Sequence, residues 1–334
     1  MVRRKRSRVQ THMYRTTTVT LPFAIFPFAM TLCLSTSSGV QETVEPVMPR
    51  LSQDKSRLER HERSFLGINR DENYDAHLDI TVSFKVQLAD ERSWGGLTPY
   101  VTLSARFSQY IFGAQSSPVI GRRFNPEFVL RYTDKSQDNA DSADSANNGD
   151  KLNTLDVGYG HESNGQGIDS VAEFNARKRS LQLDGEDEDF ARKNLSRGWD
   201  YIGFTWIRNL PPRRTSRART FLKLRYFLET GLLQDGAEEY YSFEGGIDPG
   251  GRAHYDGVGL WLRSEFSSTT LGDWHTAIGY ETGYRDAFEH STLKLELSNH
   301  NLRLPISIWA RTGYNSDLAS YYERSTSIGI GIEF

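Results

Sequence analysis

LDITVSFKVQL, residues 78 to 88, puts Leu78, Ile80, Val82, Phe84, Val86 and Leu88 on one parity and Asp79, Thr81, Ser83, Lys85 and Gln87 on the other. Successive side chains of an extended strand point to opposite faces, so this run is a strand with one apolar and one polar side; a helix would mix the two sets. Strands of ordinary globular sheets run about five or six residues. A tilted strand that crosses a bilayer needs about nine to eleven.

The same alternation returns along the chain. Leu222, Leu224, Tyr226 and Leu228 oppose Lys223 and Arg225, and Leu293, Leu295 and Leu297 oppose Lys294, Glu296 and Ser298. At the end, Ile328, Ile330, Ile332 and Phe334 oppose Gly329, Gly331 and Glu333. Strands are predicted over 78–89, 98–110, 125–134, 152–163, 200–209, 219–230, 253–265, 273–284, 290–299, 305–315 and 324–334. A weaker run from Ser64 to Asn69 brings the total to about twelve, an even number as in exported single-chain barrels. Lysines and arginines on the polar parity suit a barrel lumen. Tyr226, Trp274, Tyr280, Tyr314 and Tyr322 fall near strand ends, where interfacial aromatic girdles sit. The predicted fold is therefore an all-β, antiparallel transmembrane β-barrel of about twelve strands.

Composition agrees. With 37% hydrophobic residues and a mean hydropathy of -0.58, the chain is too polar for a bundle of membrane helices and too apolar for disorder. A formal charge of -3 gives no whole-molecule reason for a nucleic-acid partner. Arg3, Arg4, Lys5, Arg6 and Arg8, then an apolar stretch from Leu21 to Leu34, then small residues to Gly39, have the order of a secretory signal peptide, expected over 1–39. Pro22 and Pro27 and the short apolar stretch argue against an anchor. Cys33, the single cysteine, falls within that leader, so no intrachain disulfide is expected. Residues 40–63 read as an exposed polar segment and 64–334 as the barrel. The Asp134 to Lys151 stretch, rich in Asp, Ser, Asn and Ala, reads as a loop.

The chemistry concentrates in LDVGYGHESNGQG, residues 155–167. Leu155, Val157, Tyr159, His161 and Ser163 share one parity, so the row that should face lipid ends in an imidazole and a hydroxyl two residues apart. Neighbours on one strand face are close enough for His161 to take the Ser163 proton, the pairing that a nucleophilic serine needs. Asn164 and Gly165 then turn the chain, and the Gly165 N–H is suited to an oxyanion. Taken by spacing alone, a polar pair at a strand end is more often a plain interfacial rim than a catalytic one.

YGHESNGQ, followed by SRGWD at 196–200, resembles the signature of the outer-membrane phospholipase A family, which carries HxSNG and then SRSWN at the opening of the next strand. QSSPVIGRRFNPEF, 115–128, is similar to that family's SSPF...NYEP segment. The resemblance spans about 79–334. It implies hydrolysis of glycerophospholipid acyl esters at either chain position, at the outer leaflet of the outer membrane, by a homodimer. It also implies calcium held by Ser196, the carbonyl of Gln166 and Ser116 of the other subunit.

Two residues compete for the third place of the triad. Asn175 stands at the interval after His161 that the compact family motif would give. Asp200 shares parity with Ile202, Phe204 and Trp206 and opens the strand antiparallel to the His161 strand, where it can meet the other imidazole nitrogen; Asp200 is favoured. The family has asparagine there, and the insertion between Gly167 and Ser196, with its GEDED run, is a second departure. The rival readings are a non-catalytic porin-like or structural barrel and a lipid A deacylase, whose barrels have about eight strands.

Overall fold

The computed structural model describes residues 58–72, 76–89, 95–111, 119–134, 153–168, 170–183, 194–210, 216–234, 251–268 and 272–334. The expected leader, Ser116, the GEDED run and 135–151 lie outside them. Alternating runs become long strands that pair with their neighbours in sequence. Strands β1 (Leu58–Arg60) and β2 (Phe65–Asp71) both pair with β3 (His77–Gln87), and form one stave interrupted at His61 to Ser64. The others are β4 (Leu97–Tyr110), β5 (Val119–Thr133), β6 (Thr154–Ser163), β7 (Gly198–Asn209), β8 (Ser216–Phe227), β9 (Gly257–Ser268), β10 (Gly272–Gly283), β11 (Ser291–Asn299), β12 (Ile306–Gly313) and β13 (Ser325–Glu333). β13 pairs back onto β2, with Ile330 opposite Ile68. The result is a closed antiparallel barrel of twelve staves, and closure leaves no unpaired edge. No described helix is long and apolar enough to cross a membrane.

Parity sorts the side chains as the sequence requires. Ile68, Ile202, Ile278, Leu295, Ile308 and Ile330 all lie exposed on the outer surface. A continuous apolar band around a closed sheet is unfavourable in water and suits lipid. Inside, Arg106 grips Asp79 through two hydrogen bonds of 2.9 and 2.6 Å, and Arg131 grips Asp156 at 2.7 and 2.6 Å. Arg63 joins Glu296 and Glu333. Charges withdrawn from bulk water are tolerable when paired in this way. The lumen keeps a cavity of about 330 Å³ among Glu62, Arg63, Glu127, Lys223 and Arg263.

Gly329 on β13 and Gly67 on the neighbouring β2 are explained by one indole. Trp309 is buried in the lumen, and a Cβ on Gly329 or Gly67 would run into its ring. Gly329→Val is therefore expected to cost about 1–3 kcal/mol of barrel stability through overpacking. A gel-shift unfolding curve against temperature should show the lowered midpoint.

Three boundaries and one aromatic assignment differ from the sequence reading. The barrel begins before Ser64: Leu58–Arg60 already pair with β3, and Glu62 inside the lumen meets Lys223 at 2.7 Å. β5 starts at Val119, ahead of 125. Residues 253–255 belong to a helical turn, α2 (Arg252–Tyr255), which follows α1 (Val171–Leu183) among the described residues, and β9 starts only at Gly257. Tyr314 and Tyr322 are no lipid girdle, for Tyr314 packs on Tyr255 and His290, and Tyr322 on Tyr321. The ends of the Asp134 to Lys151 loop are tied by the Asp134 N–H donating to the Asn153 carbonyl at 2.9 Å. Strand direction puts that tie at the end of the barrel opposite Ser163.

Candidate active site

The rim at the end of β6 is fixed from both faces. On the inner parity, Glu162 is buried between three guanidinium groups, with Arg252 at 2.6 Å, Arg225 at 3.4 Å and Arg123 at 3.6 Å. Arg252 also meets Asp256 at 2.7 Å and lies over the Trp199 ring, 5.2 Å from its centroid. Burial would raise the Asp256 carboxyl, but Arg225, Arg252 and Arg123 together hold it below the ordinary carboxylate range. Trp199, Phe227, Leu318 and Tyr321 pack around this network as an aromatic plug. With Glu162 clamped inward, its neighbours His161 and Ser163 must point outward.

β7 supplies the other half. In register, His161 faces Asp200 and Ser163 faces Gly198. The His161 Nδ1–H donates to Asp200 Oδ1 at 2.6 Å, which turns Nε2 the other way. A Cβ on Gly198 would lie 3.6 Å from both His161 Nε2 and the Ser163 Cβ. Gly198 thus lies beside both side chains, and the Ser163 hydroxyl makes no hydrogen bond among the described residues. Asn175 is exposed on α1, whereas Asp200 is wholly buried.

Asp200 receives more donors than sequence reasoning anticipated. The Tyr159 hydroxyl donates to Oδ2, and so does the Leu233 N–H at 2.8 Å. Tyr159 in turn accepts from the Leu232 N–H at 2.8 Å. The Asp200 N–H donates to the Gln234 side chain at 2.8 Å. A carboxylate accepts on both oxygens, so this set of donors matches aspartate better than the asparagine of the resembled family. Tyr159 stood in the outward row quoted above, and its parity was the signal that could have found it. Nothing in the sequence marks residues 231–234.

Beyond Ser163 the chain turns at Gly165, whose φ of 59° is in the left-handed region that glycine occupies without strain. Asn164, buried, is the hub of this turn. Its side-chain oxygen accepts from the Gln166 N–H at 3.2 Å and the Arg197 N–H at 2.9 Å, and its amide donates to the Leu195 carbonyl at 2.7 Å. Its main-chain N–H reaches the Arg197 carbonyl at 3.0 Å. The Gly165 N–H carries no hydrogen bond among the described residues.

Through that hub, Gln166 and Ser196 are brought to one place from opposite sides of the insertion. A carbonyl and a hydroxyl are neutral hard oxygens of the kind calcium accepts, so both fit the implied ion. Ser116 lies outside the described residues. Among the described residues no group of three or more His, Cys, Asp or Glu is arranged to hold a metal.

A closed, antiparallel twelve-stranded barrel defines the fold class of this molecule, and Ser163, His161 and Asp200 lie near one another at one of its rims. Neither a family model nor a curated protein sequence matches the chain. Solved structures do. The outer membrane phospholipase A from Escherichia coli superposes with a TM-score of 0.54 at 14% identity, over 83% of this chain and 98% of that one. The Salmonella typhi outer membrane phospholipase dimer with bound calcium gives 0.56 at 12%, over 84% and 93%. At these identities the likeness is one of fold.

Proposed function

We propose that the protein is a calcium-dependent phospholipase A of the outer membrane, with A1 and A2 activity, working as a homodimer. The observation that carries the reading is the imidazole of His161, bonded through Nδ1 to Asp200, on the outward row of β6 that also holds Ser163, with its Nε2 and the Ser163 Cβ both lying beside Gly198. A non-catalytic porin has no use for a nucleophile and base there. Twelve staves, and not about eight, separate the reading from a lipid A deacylase.

In this mechanism Ser163 Oγ attacks the acyl carbonyl while His161 Nε2 takes its proton. The proton passes to the departing lysophospholipid oxygen as the ester C–O bond breaks. Water then repeats the sequence on the acyl-enzyme and releases the fatty acid. Asp200 holds the ring and stabilises its charged form, and the Gly165 N–H faces the oxyanion. Ser196, the Gln166 carbonyl and Ser116 of a second copy would hold calcium, which when bound supplies positive charge beside that oxyanion.

Fatty-acid release from phospholipid micelles by refolded protein tests the reading. Chelation of calcium should lower turnover roughly a hundredfold, the scale of losing one oxyanion donor, and added calcium should restore it. A porin-like barrel would release nothing under either condition.

A further inference from the structure

Between β8 and α2 the chain makes a hook over Asp200. The Leu228 N–H donates to the Asp200 carbonyl at 2.8 Å, and the Gly231 N–H to the Gln234 carbonyl at 3.3 Å. Gly231 lies so close that a Cβ there would fall on the Asp200 carboxylate. The inner side of the hook is polar: its amides at Leu232 and Leu233 hold Tyr159 and Asp200, and the Gln234 side-chain oxygen accepts from the Asp200 N–H. Its outer side is the reverse. Leu232 is 85% and Leu233 64% exposed, while Asp200 beneath is 0% exposed.

Two adjacent leucines displayed to water would be unfavourable relative to burial. They join the lipid-facing row of the neighbouring staves through Tyr159, whose hydroxyl the Leu232 N–H holds and whose register partner is Ile202 on β7; Ile202 in turn faces Tyr226 on β8, and both are exposed. That continuity identifies the occupant of this surface as the acyl chains of the surrounding leaflet.

We propose that residues 231–234 are a lipid-contacting hook: Leu232 and Leu233 enter the acyl layer, and the same peptide's amides fix the Tyr159 hydroxyl and the Asp200 carboxylate, so that contact with lipid sets the orientation of His161. The enzymatic side of this inference rests on the phospholipase reading. Its lipid contact does not. The consequence is an enzyme that favours aggregated lipid over dissolved ester, through residues that never touch the scissile bond.

The variant Leu232→Ser/Leu233→Ser keeps every backbone amide. Turnover is measured on vesicles of long-chain phosphatidylethanolamine and phosphatidylglycerol, and on p-nitrophenyl butyrate in solution. The ratio of vesicle to dissolved-ester turnover should fall at least tenfold. A ratio within twofold of the parent would overturn the coupling, because it would leave the hook a packing element only. In parallel, a fluorophore on Leu232→Cys in protein refolded into vesicles should be quenched by brominated acyl chains. Quenching by aqueous iodide alone would overturn the lipid contact. If the parent hydrolyses neither ester, the phospholipase reading fails, and the fluorescence still decides where the hook lies.

Discussion

Ser163→Ala is expected to lower phospholipid turnover by about a thousandfold or more while leaving the barrel intact. Loss of an activated nucleophile removes the covalent route, and what survives is whatever the oxyanion donors and binding alone provide, on the order of 10³ to 10⁴ over water in serine hydrolases. Folding should be spared because the Ser163 hydroxyl has no hydrogen bond among the described residues. Its backbone pairing with Gly198 and Phe124 is unchanged by alanine. Fatty-acid release and the gel shift of the folded barrel, measured on one preparation, separate the two effects. Retention of more than a tenth of the parent turnover would remove Ser163 from the chemistry.

Asp200→Ala carries the second large effect, a loss of about 10³ to 10⁴ in turnover from a misoriented imidazole. It should also weaken the outer rim, since the Leu233 amide and the Tyr159 hydroxyl lose a buried acceptor at about 1–3 kcal/mol for each unsatisfied group. Asp200→Asn is the sharper comparison. An amide can accept from His161 Nδ1, but its nitrogen would face the Leu233 N–H, two donors with no acceptor between them. A loss intermediate between the parent and Asp200→Ala is expected, and Tyr159→Phe should reduce turnover less than either. Asn175→Ala should match the parent. If Asn175→Ala alone abolished release, the triad drawn through Asp200 would be wrong.

Most of the barrel was legible because period two is a strong signal when one face meets lipid and the other meets charge. Leu78 to Leu88 and the isoleucines of β13 could be assigned to faces without coordinates. The failures share a cause, which is that local pattern does not report tertiary demand. Leu58 to Arg60 form too short a run to read as a strand, and pairing with β3 is what recruits them. Residues 253–255 alternate weakly, yet Arg252 is drawn inward by Glu162 and Asp256, which favours a helical turn before β9 begins. Tyr314 has the look of a girdle residue but packs on Tyr255 and His290.

The candidate site divides in the same manner. That His161 meets Asp200 and shares an outward row with Ser163 could be read from parity and antiparallel register, with Asp200 set against Asn175 on the same grounds. Asn164 could be quoted from its motif, but its role as the hub joining Gln166 to Arg197 depends on the return of the chain after the insertion. The hook at 231–234 is a matter of loop path alone. Gly198 is intermediate: it departs from the resembled SRSWN, and only the structure shows that it lies beside His161 and Ser163.

Reaction of the refolded barrel with a lipophilic fluorophosphonate, read by intact mass and peptide mapping, asks most directly whether an outward-facing serine has been made nucleophilic by its neighbour. One adduct per chain on the peptide that contains Ser163, lost in His161→Ala, is the expected result. No adduct, or one that persists at full rate without His161, would contradict a catalytic site on the outer rim.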